Sequence, residues 1–275
     1  MTGTAGRLLL LLLCLTAQAA RGDSAASPAE APEPTGTPDS LRTYTASAFD
    51  PRSGRHLFDE EHCEAYRSGC MVWSQVTYRD TAGAVLAEKH LRFADHPRVP
   101  EMQVVDRRDG YLEGVSVQGD ALVLFRCAPE GEPERRVLPL DERTVVDGGL
   151  YHLILEHWDY LESGQTLPFR LALPSKLNCY AFRARALGYA VRDGRPIVRL
   201  RVEPASLFLR LVAPRIDVVL DRRTRHPVAY EGISSFGGSG QGRRYRARME
   251  ISPPTVSTLA VRTAASDSTG LVGAL

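Results

Sequence analysis

The sequence predicts a mainly β protein with one curled antiparallel sheet, a half-barrel or barrel-like shape, that one amphipathic helix covers. Three observations support this fold class. Segments in which apolar and polar residues alternate recur along the chain, as they do in half-buried strands. Turn sequences at 80–83, 108–110 and 192–194 separate neighbouring segments and fit hairpins. Only the stretch 147–163 has strong helical spacing of its apolar residues.

The first residues of the chain are typical of a cleavable signal peptide. Arg7 precedes an apolar run at 8–15, and Ala17 and Ala19 place small residues where a signal peptidase reads them. The run is shorter than the roughly 20 residues of a membrane-spanning helix. Lipid attachment at Cys14 is a weaker alternative, because the leucines before it lack the small residue of such a site. We therefore predict a bacterial periplasmic or secreted protein without a transmembrane segment after cleavage.

Composition divides the chain into four parts. Residues 1–19 are the predicted signal peptide. Residues 20–40 contain four prolines among small and charged residues, which predicts a disordered linker. A β-rich domain is predicted at 41–252. Residues 253–275 begin with two prolines and continue mainly in Ser, Thr, Ala and Gly, which predicts a flexible tail.

The charge balance argues against nucleic acid as a partner. The chain has 34 Lys and Arg against 33 Asp and Glu, so no overall field steers it to a polyanion. Only Lys89 and Lys176 are lysines. This arginine bias is typical of GC-rich bacterial coding and does not by itself indicate a phosphate-binding patch.

Four cysteines remain after signal cleavage. An even number in an oxidising compartment predicts two disulfides. Three pairings are possible, and we favour Cys63–Cys70 as a loop staple and Cys127–Cys179 as a bond across the sheet. Packed, reduced cysteines are the alternative. His62 next to Cys63 does not reproduce the spacing of a zinc site, so we predict no metal and no cofactor.

Strands are predicted wherever alternation and turn residues coincide. The segment 198–203 alternates strictly, which indicates one buried and one solvated face. The predicted strands, in order, are 71–78, 85–93, 102–107, 111–117, 121–127, 182–191, 196–203, 216–220, 226–234 and 243–251.

The predicted helix lies between the fifth and sixth of these strands. Asp147 is its expected N-cap and Gly164 its expected C-terminal stop. Its apolar face must cover apolar surface, and the concave face of the sheet is the obvious partner. A second, shorter helix is predicted at 205–212, between Pro204 and Pro214.

Five apolar or aromatic side chains are candidates for lining a ligand cavity under the helix, although an ordinary helix-on-sheet core is the alternative. These candidate ligand-binding residues are Tyr151, Leu155, Trp158, Leu161 and Phe169.

No catalytic residue is predicted. His152 and Glu156 stand one helical turn apart, but two residues on a polar helix face do not make a site. Ser239 lies between glycines without the helix that follows a nucleophile elbow. The glycine-rich stretch 237–242 precedes a strand, so we predict a hairpin loop and not a phosphate loop.

Several motifs in the second half of the sequence carry a resemblance to known proteins. They are Gly149-Leu150-Tyr151, Trp158-Asp159, Pro168-Phe169, Asp221-Arg222-Arg223-Thr224 and Tyr230-Glu231-Gly232-Ile233-Ser234. In these motifs the sequence resembles a family of exported proteobacterial proteins of unknown function, the DUF3108-like proteins, and, more distantly, half-barrel envelope proteins of the lipoprotein-carrier type. The resemblance implies a curved antiparallel sheet with a covering helix, an envelope role and, by analogy, a lipid or apolar ligand. It implies no catalytic residues and leaves out the N-terminal half.

These observations lead to one principal functional prediction and two alternatives. The principal one is a non-enzymatic periplasmic protein that binds an apolar or amphipathic ligand such as a lipid. The first alternative is an envelope scaffold that binds another protein through a sheet edge and holds no ligand. The second is a hydrolase or metal enzyme whose site is assembled from scattered residues.

Overall fold

The computed structural model describes residues 37–93, 96–212, 215–238 and 243–259. The predicted signal peptide, residues 20–36 of the predicted linker, residues 239–242 of the glycine-rich loop and the end of the predicted tail lie outside these ranges. All the described residues belong to one structural unit, Ala31–Leu275.

Sixteen strands form a single, open, mainly antiparallel sheet. The N-terminal arm consists of β1 (Ser40–Phe49), β2 (His56–Arg67), β3 (Cys70–Arg79), β4 (Val85–Arg92), β5 (Glu101–Asp106), β6 (Leu112–Gln118), β7 (Ala121–Cys127) and β8 (Glu134–Pro139). The C-terminal arm consists of β9 (Thr144–Val146), β10 (Thr166–Leu173), β11 (Asn178–Arg192), β12 (Arg195–Pro204), β13 (Ile216–Asp221), β14 (Pro227–Gly238) and β15 (Arg243–Ile251), and β16 (Thr255–Thr258) follows.

The two arms meet at β1. Its second half pairs with β15, from Ala46 opposite Ile251 to Phe49 opposite Arg248. Its first half pairs with β16. Residues 255–258 were predicted to belong to the flexible tail, but they form this strand.

The sheet curls because its two outer strands are consecutive in the chain. β8 and β9 lie at opposite ends of the strand order, yet only residues 140–143 connect them. So short a connection spans less than about 20 Å. A hydrogen bond joins the two ends of the strand order: the guanidinium of Arg126 on β7 donates to the carbonyl of Ser175, which follows β10, at 2.6 Å. The result is a curled sheet that stays open.

Two short helices replace the single long helix that was predicted. α1 (Gly149–Glu156) and α2 (Trp158–Glu162) are interrupted at His157. Together they connect β9 to β10, which pair in parallel, and a crossover of this kind needs a covering segment on one face of the sheet. The second predicted helix is confirmed as α3 (Leu207–Val212).

Asp147 does not cap α1, contrary to the prediction. Gly148 occupies the N-cap position, and no side chain caps the helix. The Asp147 carboxylate instead accepts a hydrogen bond from Lys89 Nζ at 2.9 Å. Lys89 points from β4 to the inside of the sheet and is 8% exposed. Burial is the largest single influence on the pKa of Lys89 and opposes the charge, but the facing Asp147 carboxylate, Tyr78 and Glu60 together outweigh it and raise the pKa.

Three apolar clusters fill the inner face. Cluster 1 lies between the helices and β10–β13 and contains Val145, Leu153, Ile154, Trp158, Leu161, Leu167, Phe169, Leu171, Ala184, Val198, Leu200, Val202 and Leu220. Cluster 2 lies against β4–β7 and contains Leu91, Phe93, Val99, Met102, Val104, Val115, Leu122, Leu124, Val146 and Ala172. Cluster 3 lies where the arms meet and contains Ala48, Phe58, Val76, Tyr78, Ala87, Phe236, Ala247 and Met249.

The four described cysteines are free thiols, so neither predicted disulfide is present. Cys63 stands opposite Gln75, whereas Cys70 stands opposite Arg67, four residues further along β2. This offset is about 13 Å, too far for a disulfide. Cys127 Sγ is turned to the Gly131 carbonyl at 3.3 Å, and Cys179 packs against cluster 2.

Candidate functional site

A group of polar side chains lies on the inner face between the apolar clusters. β2 places every second residue from Phe58 onward on this face, and Glu60 and Glu64 are each only 7% exposed. We call the group the Glu64 cluster. It consists of Arg42 and Tyr44 on β1, Glu60, His62, Glu64 and Tyr66 on β2, Tyr151 and His152 on α1, and His226 in the β13–β14 turn.

Glu64 accepts hydrogen bonds from two tyrosines. The hydroxyl of Tyr44 donates to Oε1 at 2.8 Å, and that of Tyr66 donates to Oε2 at 2.7 Å. Burial raises the pKa of both tyrosines, and the Glu64 carboxylate adds to the effect, so both remain donors. An Arg42 guanidinium nitrogen lies 4.0 Å from Oε2, and the guanidinium stacks 4.8 Å from the centre of the Tyr66 ring.

Aromatic contacts hold two histidines beside this carboxylate. His62 stacks on Tyr44 with ring centres 4.3 Å apart, and its Nε2 lies 2.8 Å from Glu60 Oε2. His226 meets the same Tyr44 ring edge-on at 4.9 Å. Its Nε2 lies 3.1 Å from the carbonyl oxygen of Ser252. Since a carbonyl only accepts, Nε2 of His226 carries the hydrogen.

Two buried nitrogens of the cluster have no hydrogen-bond partner. They are Nε of Arg42 and Nε2 of His152. Arg42 borders Glu64 through the contact above. His152 lies on α1, where burial lowers the pKa of its ring and the Glu64 charge opposes this shift. A buried polar atom without a partner costs about 1–3 kcal/mol, so its presence calls for a physical explanation.

The position of His152 corrects the predicted polar helix face. Its ring lies 4.9 Å from the Phe93 ring, under the helix and toward the sheet. Glu156 is exposed and lies 3.7 Å from Arg98. The pair His152 and Glu156 therefore does not form a shared site. Within the described ranges, no three His, Cys, Asp or Glu side chains are grouped to hold a metal ion.

The five residues predicted to bind a ligand all belong to cluster 1 or pack against it. Trp158, Leu161 and Phe169 are buried members of the cluster, and Tyr151 and Leu155 are partly buried against it. Arg225 lies over Trp158, 5.1 Å from the ring centre. Tyr151 is also a member of the Glu64 cluster, and its hydroxyl donates to the Arg225 carbonyl at 3.2 Å. Tyr151 therefore belongs both to the predicted ligand-binding residues and to the Glu64 cluster.

The Glu64 cluster was not predicted from the sequence: His62 and His152 were considered separately, for sites that were rejected, and Arg42, Glu60 and Glu64 were not considered. In β2 the inner residues Glu60, His62 and Glu64 interrupt the apolar alternation that marks a strand. A signal was nevertheless present in the sequence. Every second residue from Phe58 to Tyr66 lies on the same strand face as the apolar Phe58, and the three residues between these two on that face are polar.

We expect the protein to lose stability as the pH falls below about 6.5, the ordinary pKa of histidine. Burial lowers the pKa of His152 and of His226. The unfolded chain therefore binds protons before the folded chain does, so stability is greatest above pH 6.5 and falls through the lowered pKa values. Melting temperatures measured from pH 7.5 to 5 should decline less in the double variant His152→Gln/His226→Gln. An equal decline in wild type and variant would contradict this assignment.

Among the described residues, no helix is both long and apolar enough to cross a bilayer.

Comparisons with known proteins return likenesses of fold only. No family model matches the chain, and no curated protein does. Two solved structures are similar to it. One is a β-barrel-like protein of the domain of unknown function DUF1849 from Brucella abortus, which is 11% identical over 80% of this chain and 98% of that chain, with a TM-score of 0.49. The other is a DUF1329 family protein from Desulfovibrio piger, 10% identical over 79% and 85% of the two chains, with a TM-score of 0.31. Both solved structures come from families named only as domains of unknown function, and membership of the DUF3108 family stays a prediction.

Proposed function

We propose that this chain is an exported, non-enzymatic protein that holds an amphipathic ligand, such as a lipid, inside its curled sheet. The observation that carries the proposal is the pair of partnerless buried nitrogens, Arg42 Nε beside Glu64 and His152 Nε2 on α1. A bound polar group would supply the missing partners, and ligand sites commonly combine apolar walls with a few such convergent polar groups.

The chemistry of the cluster defines the polar end of the ligand. Arg42 Nε is a donor only, so the group it contacts must offer an acceptor oxygen. His152 Nε2 either donates or accepts, according to its tautomer. A hydroxyl or ester oxygen is a suitable partner for either nitrogen.

The surroundings of the cluster define the rest of the ligand. Clusters 1 and 2 flank the Glu64 cluster, and α1 covers it with Tyr151 and His152. An apolar chain leaving the polar group would lie against these side chains. Export is supported by the signal-peptide pattern of residues 1–19, and an envelope role by the resemblance to the DUF3108-like family.

Native mass spectrometry of protein purified from the periplasm tests this function. We expect a chain that lacks the signal peptide and carries a bound amphipathic molecule, which organic extraction would release. Arg42→Met removes one of the two partnerless nitrogens and should lower the bound fraction about tenfold or more, since hydrogen bonds to charged groups contribute about 1.5–3 kcal/mol. Glu64→Gln removes the charge that faces Arg42 at 4.0 Å and should lower the bound fraction as well.

Glu61→Gln is the matched control. Glu61 lies on the opposite face of the same strand, where it binds Arg79 at 2.8 Å, so its replacement should leave the bound fraction unchanged. A clean apo mass with no uptake from a lipid extract would refute ligand binding. An unprocessed N-terminus found only in the cytosolic fraction would refute export.

A further inference from the structure

A group of large apolar side chains is exposed at the connection between β12 and β13. Leu207 is 72% exposed, Phe208 83% and Leu209 42%. Three consecutive exposed residues of this size are unusual, because isolated apolar residues on a surface are common but contiguous ones mark contact sites. We call Leu207, Phe208 and Leu209 the apolar tip.

Hydrogen bonds hold the apolar tip in its exposed position. Arg210 Nε donates to the Pro204 carbonyl at 2.8 Å, and its Nη2 donates to the Ala205 carbonyl at 2.7 Å. The Ala205 amide donates to the Ala181 carbonyl of β11 at 2.9 Å. The start of α3 is thereby fixed to the ends of β11 and β12.

The outer face of the neighbouring strands is strongly basic. Leu200 and Val202 face cluster 1, so the alternate residues of β12 face outward. There Glu203 lies 2.5 Å from Arg183, 3.7 Å from Arg185 and 3.9 Å from Arg210. A single carboxylate is thus surrounded by three guanidinium groups.

A second carboxylate repeats this arrangement. Asp217 of β13 binds Arg201 at 2.7 Å. Arg199 precedes Arg201 by two residues and Arg215 precedes Asp217 by two, which places both arginines on the same outer face, and their charges lower the pKa of Asp217 further. Six arginines therefore surround two carboxylates next to the apolar tip, although the whole chain has a formal net charge of only +1. We call these eight residues the basic face.

We propose that the basic face and the apolar tip together dock on an anionic membrane surface. Exposed Leu and Phe side chains insert into the boundary between headgroups and acyl chains. Arginines beside them bind lipid phosphates, often through two hydrogen bonds, and each basic residue near an anionic surface adds to the attraction. The combination of excess positive charge with an apolar tip is the complement of such a surface. This inference does not depend on the ligand proposed above.

Vesicle co-sedimentation tests the inference on the mature chain. We expect binding to vesicles of phosphatidylcholine mixed with phosphatidylglycerol, weakening as salt is raised, and much weaker binding to phosphatidylcholine alone. Leu207→Asp/Phe208→Asp should lower the partition coefficient about tenfold or more. Arg199→Gln/Arg215→Gln should lower it and flatten its dependence on salt.

Val137→Asp/Val191→Asp is the matched control, because both valines are exposed on other parts of the sheet and should not affect binding. Melting curves of all variants verify that they fold. Absence of binding to anionic vesicles, or equal binding by the Leu207→Asp/Phe208→Asp variant, would overturn the proposal. Concentration-dependent dimerisation lost in that variant, without vesicle binding, would overturn it in favour of a protein contact.

Discussion

Replacing Phe58 by alanine is expected to lower the free energy of unfolding by about 3–5 kcal/mol, the usual cost of deleting a buried aromatic ring. Phe58 is fully buried in cluster 3. Its ring centre lies 5.4 Å from that of Phe236, 5.6 Å from that of Tyr245 and 6.0 Å from that of Tyr78. These rings come from both arms of the sheet, so the cavity left by the deletion would weaken the place where the arms meet.

Urea denaturation followed by circular dichroism measures this loss, and Phe208→Ala supplies the comparison. The same ring is removed there at an exposed position, where a change within about 0.5 kcal/mol is expected. Similar losses in the two variants would show that Phe58 is not a core residue.

Replacing Gly149 by alanine is expected to lower the free energy of unfolding by about 3 kcal/mol. An added Cβ would stand well within 3.0 Å of the backbone carbonyl of Arg98. Moving that carbonyl away would break or weaken a hydrogen bond, because it accepts from the Val146 amide at 3.0 Å. The start of α1 would therefore be pushed away from the turn that supports it.

Gly164→Ala separates this close approach from ordinary backbone effects. Gly164 has a φ of +82° and no atom within 4 Å of an added Cβ, so only the left-handed conformation is penalised, by roughly 1–2 kcal/mol. Thermal and urea unfolding would distinguish the two variants. A loss for Gly149→Ala no greater than that for Gly164→Ala would contradict the proposed crowding.

The hairpins could be predicted from the sequence because their signals are local. In the turn at 192–194, Asp193 and Gly194 both adopt positive φ, as a two-residue hairpin turn requires. The flanking strands β11 and β12 also alternate as expected. The ten predicted strands correspond to β3–β7 and β11–β15, where periodicity and turn residues agree.

The strands that were not predicted lack these local signals. β9 is only three residues long, and its pairing with β10 is decided by the crossover. β8 is largely exposed on both faces, so no buried stripe marks it. β2 carries the Glu64 cluster, whose partners on α1, Tyr151 and His152, are distant in the chain. Local sequence patterns contain no information about such contacts.

Helical residues lie at the predicted position, but they form two short helices and not the single helix that was predicted, and these details depend on tertiary contacts. Asp147 has the side chain of a good N-cap, yet its carboxylate accepts a hydrogen bond from the buried ammonium of Lys89 on β4. Neutralising a buried charge is worth more than a surface cap. His152 was expected on the solvent-exposed face of one continuous helix, whereas α1 directs its side chain toward Phe93.

The meeting of the two arms at β1 determines the order in which the chain can fold. Every other neighbouring pair in the main strand path joins strands that are consecutive in sequence, so each arm can grow by adding one strand after another. The β1–β15 ladder instead joins residues as distant as Ala46 and Ile251. Closing so long a loop lowers the conformational entropy of the chain before the contacts between the two strands can form. The arms therefore form first and dock last. Until they dock, β1 and β15 are open edges through which two nascent chains can exchange arms.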